Sequence, residues 1–243
     1  SNNLFYNAAG EVVYSSAAIG IIYNSVEHKQ KFYVGHDDDI ISLAVSPDRQ
    51  FVATGQLGKR PAVHVWDAST GQGICVLPTF HTRGIPCVTF SPHGQQIASV
   101  GQDSNHSIAV YQTKSGSWHD GVIQATEKGS QEKVLFVHFT GHPELPLMTG
   151  GVNHMNFWKI KGRSLNVTRG LFGKKGKTQP ILCAATIYGG PVVAGTASGH
   201  LYVFRGAKVE KVSLGHQSSV NSLFATNKGL VSGGKDGSVK LWD

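Results

Sequence analysis

The stretch that comes nearest to a chemical motif is Gly170-Leu171-Phe172-Gly173-Lys174-Lys175-Gly176-Lys177-Thr178. A phosphate-binding loop, G-x4-G-K-[ST], cradles phosphate oxygens on backbone amides and must open a helix whose N-terminus faces them. Aligned on Gly176, Lys177 and Thr178, the first required glycine falls on Leu171, and Gly170 is one residue too far. The sequel Gln179-Pro180-Ile181-Leu182-Cys183 leads into a strand, so nucleotide binding is rejected here. Other chemistry fares no better. The 12 histidines are scattered without a HExxH pair, and no Gly-x-Ser-x-Gly elbow precedes a helix. Asp37-Asp38-Asp39 places three carboxylates in a row, but lacks the spaced ligands and glycine of a calcium loop. Cys75, Cys87 and Cys183 are odd in number and lack ligand spacing. In or beside apolar strands they read as buried thiols of a reducing compartment. These residues predict no enzyme, no cofactor, no metal and no small-molecule substrate.

The elements behind these residues are short strands that recur with a long period. Tyr23, Trp66, Tyr111, Trp158, Phe204 and Trp242 close successive units at spacings of 43, 45, 47, 46 and 38 residues. Trp66-Asp67 and Trp242-Asp243 carry the full dipeptide, and Gly35-His36 and Gly215-His216 lie upstream. That period with four short strands per unit predicts an all-β fold, a β-propeller of WD repeats. Expected strands include Leu4–Tyr6, Glu11–Ser15, Ile19–Tyr23 and Lys31–Val34 in the first unit. The second unit gives Ile40–Val45, the turn Ser46-Pro47-Asp48, Phe51–Gly55, Val63–Trp66 and Ile74–Leu77. The third gives Cys87–Phe90, Ile97–Gly101 and Ile108–Tyr111. Within this scheme Asp37–Asp39 caps a blade or offers a charged surface. About six blades or blade parts fill residues 1–243 as one continuous architecture. The sixth stops at Asp243 before its outer strand, and the chain starts at Ser1 without Met. The expectation is therefore a piece of a seven-bladed ring within a longer protein. No apolar stretch approaches 18 residues, so no membrane helix is expected.

In WD-repeat proteins a Trp indole, a Ser or Thr hydroxyl, a His and a turn Asp form one hydrogen-bonded chain. His216, Ser232, Asp236 and Trp242 match all four positions. His36, Thr54 and Trp66 match three, with Gly58 where Asp is expected. His81, Ser99 and Asp103 end in Tyr111, while Thr149 and Trp158 enclose Asn153. Ala194, Ser198 and Phe204 fill the slots of the fifth unit, which predicts no network there. A buried indole and imidazole need partners, so these residues are expected to be structural.

Charge is lopsided. Residues 1–144 hold 9 Lys/Arg and 12 Asp/Glu, whereas residues 145–243 hold 13 and 3. No acidic residue lies between Glu144 and Glu210, and Lys159, Lys161, Arg163, Arg169, Lys174, Lys175 and Lys177 fall in that gap. Such a run suits a polyanionic partner, whether nucleic acid, an acidic membrane or an acidic protein surface, and equally a solvated loop. Few aromatics interleave at stacking positions, which disfavours nucleic acid.

Several segments carry a narrower resemblance. These are Asn2-Asn3-Leu4-Phe5-Tyr6, Gly10-Glu11-Val12-Val13-Tyr14, Gln30–His36, Asp38-Asp39-Ile40, Val52–Gln56, Ala98–Gly101 and His154–Trp158. Arg169–Lys174 followed by Gln179–Cys183 is the most specific. Together the chain resembles the echinoderm microtubule-associated protein-like family. The resemblance implies a non-catalytic cytoskeletal scaffold with two joined propellers and a hydrophobic motif, of which this chain matches most of the first propeller. It implies tubulin, microtubules or microtubule-associated proteins as partners. It also implies a cytoplasmic, cytoskeletal location, with the cilium or flagellar axoneme as a narrower site. A general WD-repeat interaction adaptor, acting away from microtubules, is the alternative.

Overall fold

The computed structural model describes residues 3–187 and 189–243. Ser1 and Asn2, at the start of the chain and of the first resembling segment, lie outside them. Apart from one 3-10 turn at Trp118–Asp120, regular structure among the described residues is β-strand. The strands form successive antiparallel meanders, the blades of a β-propeller. Contacts divide the chain into two compact units, Ser1–Gln131 with Gly162–Ser164, and Glu132–Lys161 with Leu165–Asp243.

The first unit contains three blades. Blade 1 is Leu4–Tyr6, Val12–Ser16, Ile19–Asn24 and Lys29–Tyr33. Blade 2 is Ile40–Val45, Phe51–Gly58, Val63–Asp67 and Gly73–Val76, and blade 3 is Cys87–Phe90, Gln96–Val100, Ile108–Gln112 and Val122–Glu127. Polar punctuation fixes the turns. Between the first two strands of blade 2, Ser46 N donates to Phe51 O at 2.8 Å, and Arg49 turns with φ 60°. Alternating apolar residues then meet between neighbouring blades. Val13, Ile22, Tyr33, Leu43, Val52 and Trp66 form one core. Ala53, Val65, Leu77, Ile85, Ile97 and Tyr111 belong to a second.

The second unit begins with blade 4: Val134–Phe139, Leu147–Gly151, His154–Lys161 and Ser164–Arg169. Blade 5 is Ile181–Thr186, Val192–Thr196, His200–Arg205 and Lys208–Leu214. Val220–Thr226, Gly229–Gly234 and Val239–Trp242 form a three-stranded sheet 6. Met148, Met155, Phe157, Ile181, Tyr202 and Phe204 pack together in one core of this unit. Ala185, Val193, Leu201, Val220 and Leu230 pack in another.

Three details depart from the sequence expectations. The strand expected to end at Gly55 continues to Gly58, because Arg83–Gly84 pairs with its tail through Leu57↔Gly84 and Gly58↔Arg83. Trp118, outside the repeat positions, is buried on the 3-10 turn, with its indole donating to Gly94 O at 3.2 Å. Asn153 serves a tight turn, with φ 59° between paired Gly151 and His154. That left-handed conformation suits the short polar side chain of asparagine.

Candidate functional site

The histidines expected in structural networks are buried and bonded at both ring nitrogens. In sheet 6, the Trp242 indole donates to Ser232 Oγ at 2.8 Å, and Ser232 Oγ lies 2.7 Å from His216 Nε2. His216 Nδ1 faces Asp236 at 3.1 Å and Ser238 Oγ at 3.0 Å. Asp236 accepts only hydrogen, so the proton sits on Nδ1 and Ser232 donates to Nε2. Hydrogen bonds from the Ser238 hydroxyl, followed by the Gln217 amide, hold the Asp236 pKa well below the usual carboxylate range.

Blade 2 builds the same chain with different residues. Trp66 Nε1 donates to Thr54 Oγ1 at 3.2 Å, and Thr54 Oγ1 lies 2.7 Å from His36 Nε2. Gly58 takes no part. Instead His36 Nδ1 donates to Gln56 Oε1 at 2.5 Å, and Gln56 Nε2 donates to the Asp37 carboxylate. Asp37 thus supplies the carboxylate from the His36 side, and the Gln56 hydrogen bond is the main cause of its lowered pKa. His64 stacks on His36 with ring centroids 3.8 Å apart, and its Nδ1 meets the Tyr33 hydroxyl at 2.7 Å. Burial first, and the neighbouring His36 second, push the His64 pKa down to about 4.

In blade 3, His81 Nε2 lies 2.7 Å from Ser99 Oγ. Its Nδ1 meets Ser107 Oγ at 3.0 Å, and Ser107 donates to Asp103 at 2.5 Å. Asp103 therefore reaches the imidazole through a serine rather than directly. Burial lowers His81 to about 4. In blade 4 the Trp158 indole donates to Thr149 Oγ1 at 2.9 Å. Blade 5 substitutes a local set, with Thr196 Oγ1 3.3 Å from Ser198 Oγ and Ser198 Oγ 2.9 Å from His200 Nδ1. Phe204 instead packs 5.6 Å from Phe157. Gln56 and Ser107 escape the sequence reading, and Asp37 figures there as a blade cap or charged surface, because none occupies the repeat position that an aspartate would.

The basic run is divided between strands and the connections that join them. Lys159 and Lys161 lie on the strand His154–Lys161, and Arg169 ends the strand Ser164–Arg169. Lys159 pairs with Glu144 at 2.5 Å. Arg163, in the intervening turn, is exposed. Lys174, Lys175 and Lys177 are exposed on the connection into blade 5. Of the whole run, Lys174 and Lys175 line a cleft of about 630 Å³, where Arg205 and Lys208 join them. Those last two lie in the same acid-free stretch of sequence, so extending the charge count to Glu210 would have found them. Among the described residues no group of three or more His, Cys, Asp or Glu side chains could hold a metal. None of their helices is long and apolar enough to cross a membrane.

Residues 29–243 match the family described as the echinoderm microtubule-associated protein first β-propeller. Mouse "Echinoderm microtubule-associated protein-like 2" is 37% identical over 258 residues, covering 99% of this chain and 39% of the relative. Human "Echinoderm microtubule-associated protein-like 1" is 33% identical, over 99% of this chain and 31% of the relative. The 77 kDa echinoderm microtubule-associated protein of Strongylocentrotus purpuratus is 31% identical, over 99% and 36% respectively. The chain thus spans between 31% and 39% of the length of these relatives. The crystal structure of the computationally designed Ika8 protein superposes with a TM-score of 0.75 at 23% identity. It covers 99% of this chain and 70% of that one, and speaks to the fold alone.

Proposed function

We propose, from the premise that this chain belongs to the echinoderm microtubule-associated protein family, that it is a non-catalytic propeller module through which a cytoskeletal scaffold contacts microtubules. The observation that carries this reading is the joining of Lys174 and Lys175 with Arg205 and Lys208 around one open cleft. The tubulin surface is acidic, and a cationic cluster facing it raises both encounter rate and affinity. The relatives are named for microtubule association, which supports the same partner. We extend the reading to a module of a longer WD-repeat tandem propeller on the cytoplasmic cytoskeleton, with axonemal microtubules as a narrower location. The buried His and Ser residues, with the Asp residues that reach them, then stabilise blades rather than turn over a substrate.

Co-sedimentation with taxol-stabilised microtubules across a salt series tests the proposal. Pelleting should weaken as ionic strength rises past about 0.15 M, where the Debye length is roughly 8 Å. A folded chain that stays in the supernatant at low salt would overturn it and favour an adaptor acting on other proteins.

A further inference from the structure

The segment that mimics a phosphate loop in sequence is, in space, a tethered basic turn. Leu171 forms a parallel bridge with Lys208: Leu171 N donates to Ala207 O at 2.7 Å, and Val209 N donates to Leu171 O at 2.9 Å. Past that bridge the chain turns at Gly173, φ 61°, and closes with Gly176 N donating to Phe172 O at 3.0 Å. Between this turn and the strand Lys208–Leu214 opens the 630 Å³ cleft, floored by buried Val209. Lys174, Lys175, Arg205 and Lys208 line it against a single carboxylate, Glu210. That carboxylate is engaged by Arg205 Nε at 2.9 Å, while the Glu210 carbonyl accepts from Lys175 Nζ at 2.8 Å.

We propose that this cleft docks an extended acidic peptide segment, whose carboxylates meet Lys174, Lys175, Arg205 and Lys208. The proposal rests on the acidic-partner reading above and narrows it from a surface to one cleft. Charge complementarity is the first support, since four cations face one acid. Preorganisation is the second. The Phe172 ring packs 6.0 Å from Tyr202 and 6.1 Å from Phe204. The Tyr202 hydroxyl accepts from Lys177 N at 2.9 Å and from Gln179 Nε2 at 2.7 Å, and donates to Lys177 O at 3.1 Å. The turn is therefore pinned on both flanks before a ligand arrives, which reduces the ordering cost of binding. No aromatic side chain lines the cleft, so it offers no platform for stacking bases and favours peptide over single-stranded nucleic acid.

Fluorescence anisotropy with a labelled deca-glutamate peptide tests the cleft, with deca-glutamine and a deoxythymidine decamer as comparators. The chain should bind deca-glutamate, lose it with added salt, and ignore deca-glutamine. The pair Lys174→Glu and Lys208→Glu should weaken binding by at least about tenfold, beyond what net charge alone does. The pair Lys228→Glu and Lys235→Glu, equal in charge and remote in sequence, should stay within about twofold. Thermal melts check folding, and the milder Lys174→Gln with Lys208→Gln serves if the reversal unfolds the chain. Equal losses from both pairs, undiminished binding by the cleft pair, or tighter binding of the decamer would each overturn the proposal. Peptide binding confined to the cleft without microtubule pelleting would sustain the cleft and sink the microtubule reading. Pelleting without peptide binding would do the reverse.

Discussion

Thr54→Val separates a buried hydrogen-bond hub from ordinary packing. Thr54 is fully buried and its hydroxyl serves two partners, accepting from the Trp66 indole at 3.2 Å and donating to His36 Nε2 at 2.7 Å. Valine keeps the shape and removes the oxygen. Trp66 is 0% exposed and His36 8%, so neither orphaned group has ready access to water. An unsatisfied buried polar group costs about 1–3 kcal/mol, and the added methyl recovers about 0.8 kcal/mol. With two groups orphaned, the expected net loss is about 1–5 kcal/mol. Thr54→Ser keeps the hydroxyl and deletes one methyl, for a loss of about 1 kcal/mol. Ser232→Ala should cost about 1–3 kcal/mol, because partly exposed Trp242 can bond to water instead while buried His216 Nε2 loses its donor. With a urea m-value near 3 kcal/mol/M, Thr54→Val should lower the unfolding midpoint by about 1 M. If Thr54→Val melts with or above Thr54→Ser, the hydroxyl is not holding the network and the reasoning fails.

Acid should destabilise the chain as His64 and His81 charge. Both pKa values fall from 6.5 to about 4 on folding. The unfolded state therefore binds more protons between those values, and stability is full above pH 6.5 and lost as pH falls toward 4. His81 alone accounts for about 3 kcal/mol by linkage, and a urea midpoint constant from pH 7 to pH 4 would contradict this. Gly101→Ala should force apart the blade 3 network, since a Cβ there would stand 2.5 Å from Asp103 Oδ2 and 2.6 Å from His81 Nδ1. A loss of about 1–3 kcal/mol is expected in the same melts, and a neutral result would mean the network yields easily. Burial raises the Cys75 and Cys183 thiols to about 11 and about 12. Native protein at pH 8 should leave both unalkylated by iodoacetamide, as read by peptide mass spectrometry, while urea exposes them. Tyr202→Phe should untie the basic turn without changing charge, and limited trypsinolysis should then cut faster at Lys174, Lys175 or Lys177. Cleavage at the unaltered rate would show that Phe172 alone secures the turn.

The blades were legible because their signals are local. Ile40–Val45 and Cys87–Phe90 match the expected strands residue for residue, set by β-branched runs between turn residues. Phe51–Gly58 outran its expected end because its last residues pair with Arg83–Gly84, more than 20 positions away in sequence. No local pattern encodes such a partner. The networks divide along the same line. His216, Ser232, Asp236 and Trp242 sit at repeat positions and could be read by alignment. The route from His36 through Gln56 to Asp37 depends on where a side-chain amide points. The cleft was half legible: Lys174 and Lys175 stood out as a run, whereas Arg205 and Lys208 reach it only because Leu171 bridges to the strand they precede and begin.

His216, Ser232 and Asp236, like His81, Ser99 and Asp103, are the residue types of a hydrolytic triad, and their geometry argues against that use. A nucleophilic serine needs an exposed oxygen and an imidazole free to take its proton. Ser232 and Ser99 are 0% exposed, and Ser232 Oγ also accepts the Trp242 indole N–H at 2.8 Å. His216 and His81 spend both ring nitrogens within the blade. The burial that lowers His81 to about 4 leaves a poor base, and no substrate atom could reach it without opening the sheet. These groups hold strands together at the cost of their reactivity. The tethered cations beside the Lys208–Leu214 strand stand apart from these networks, on the surface.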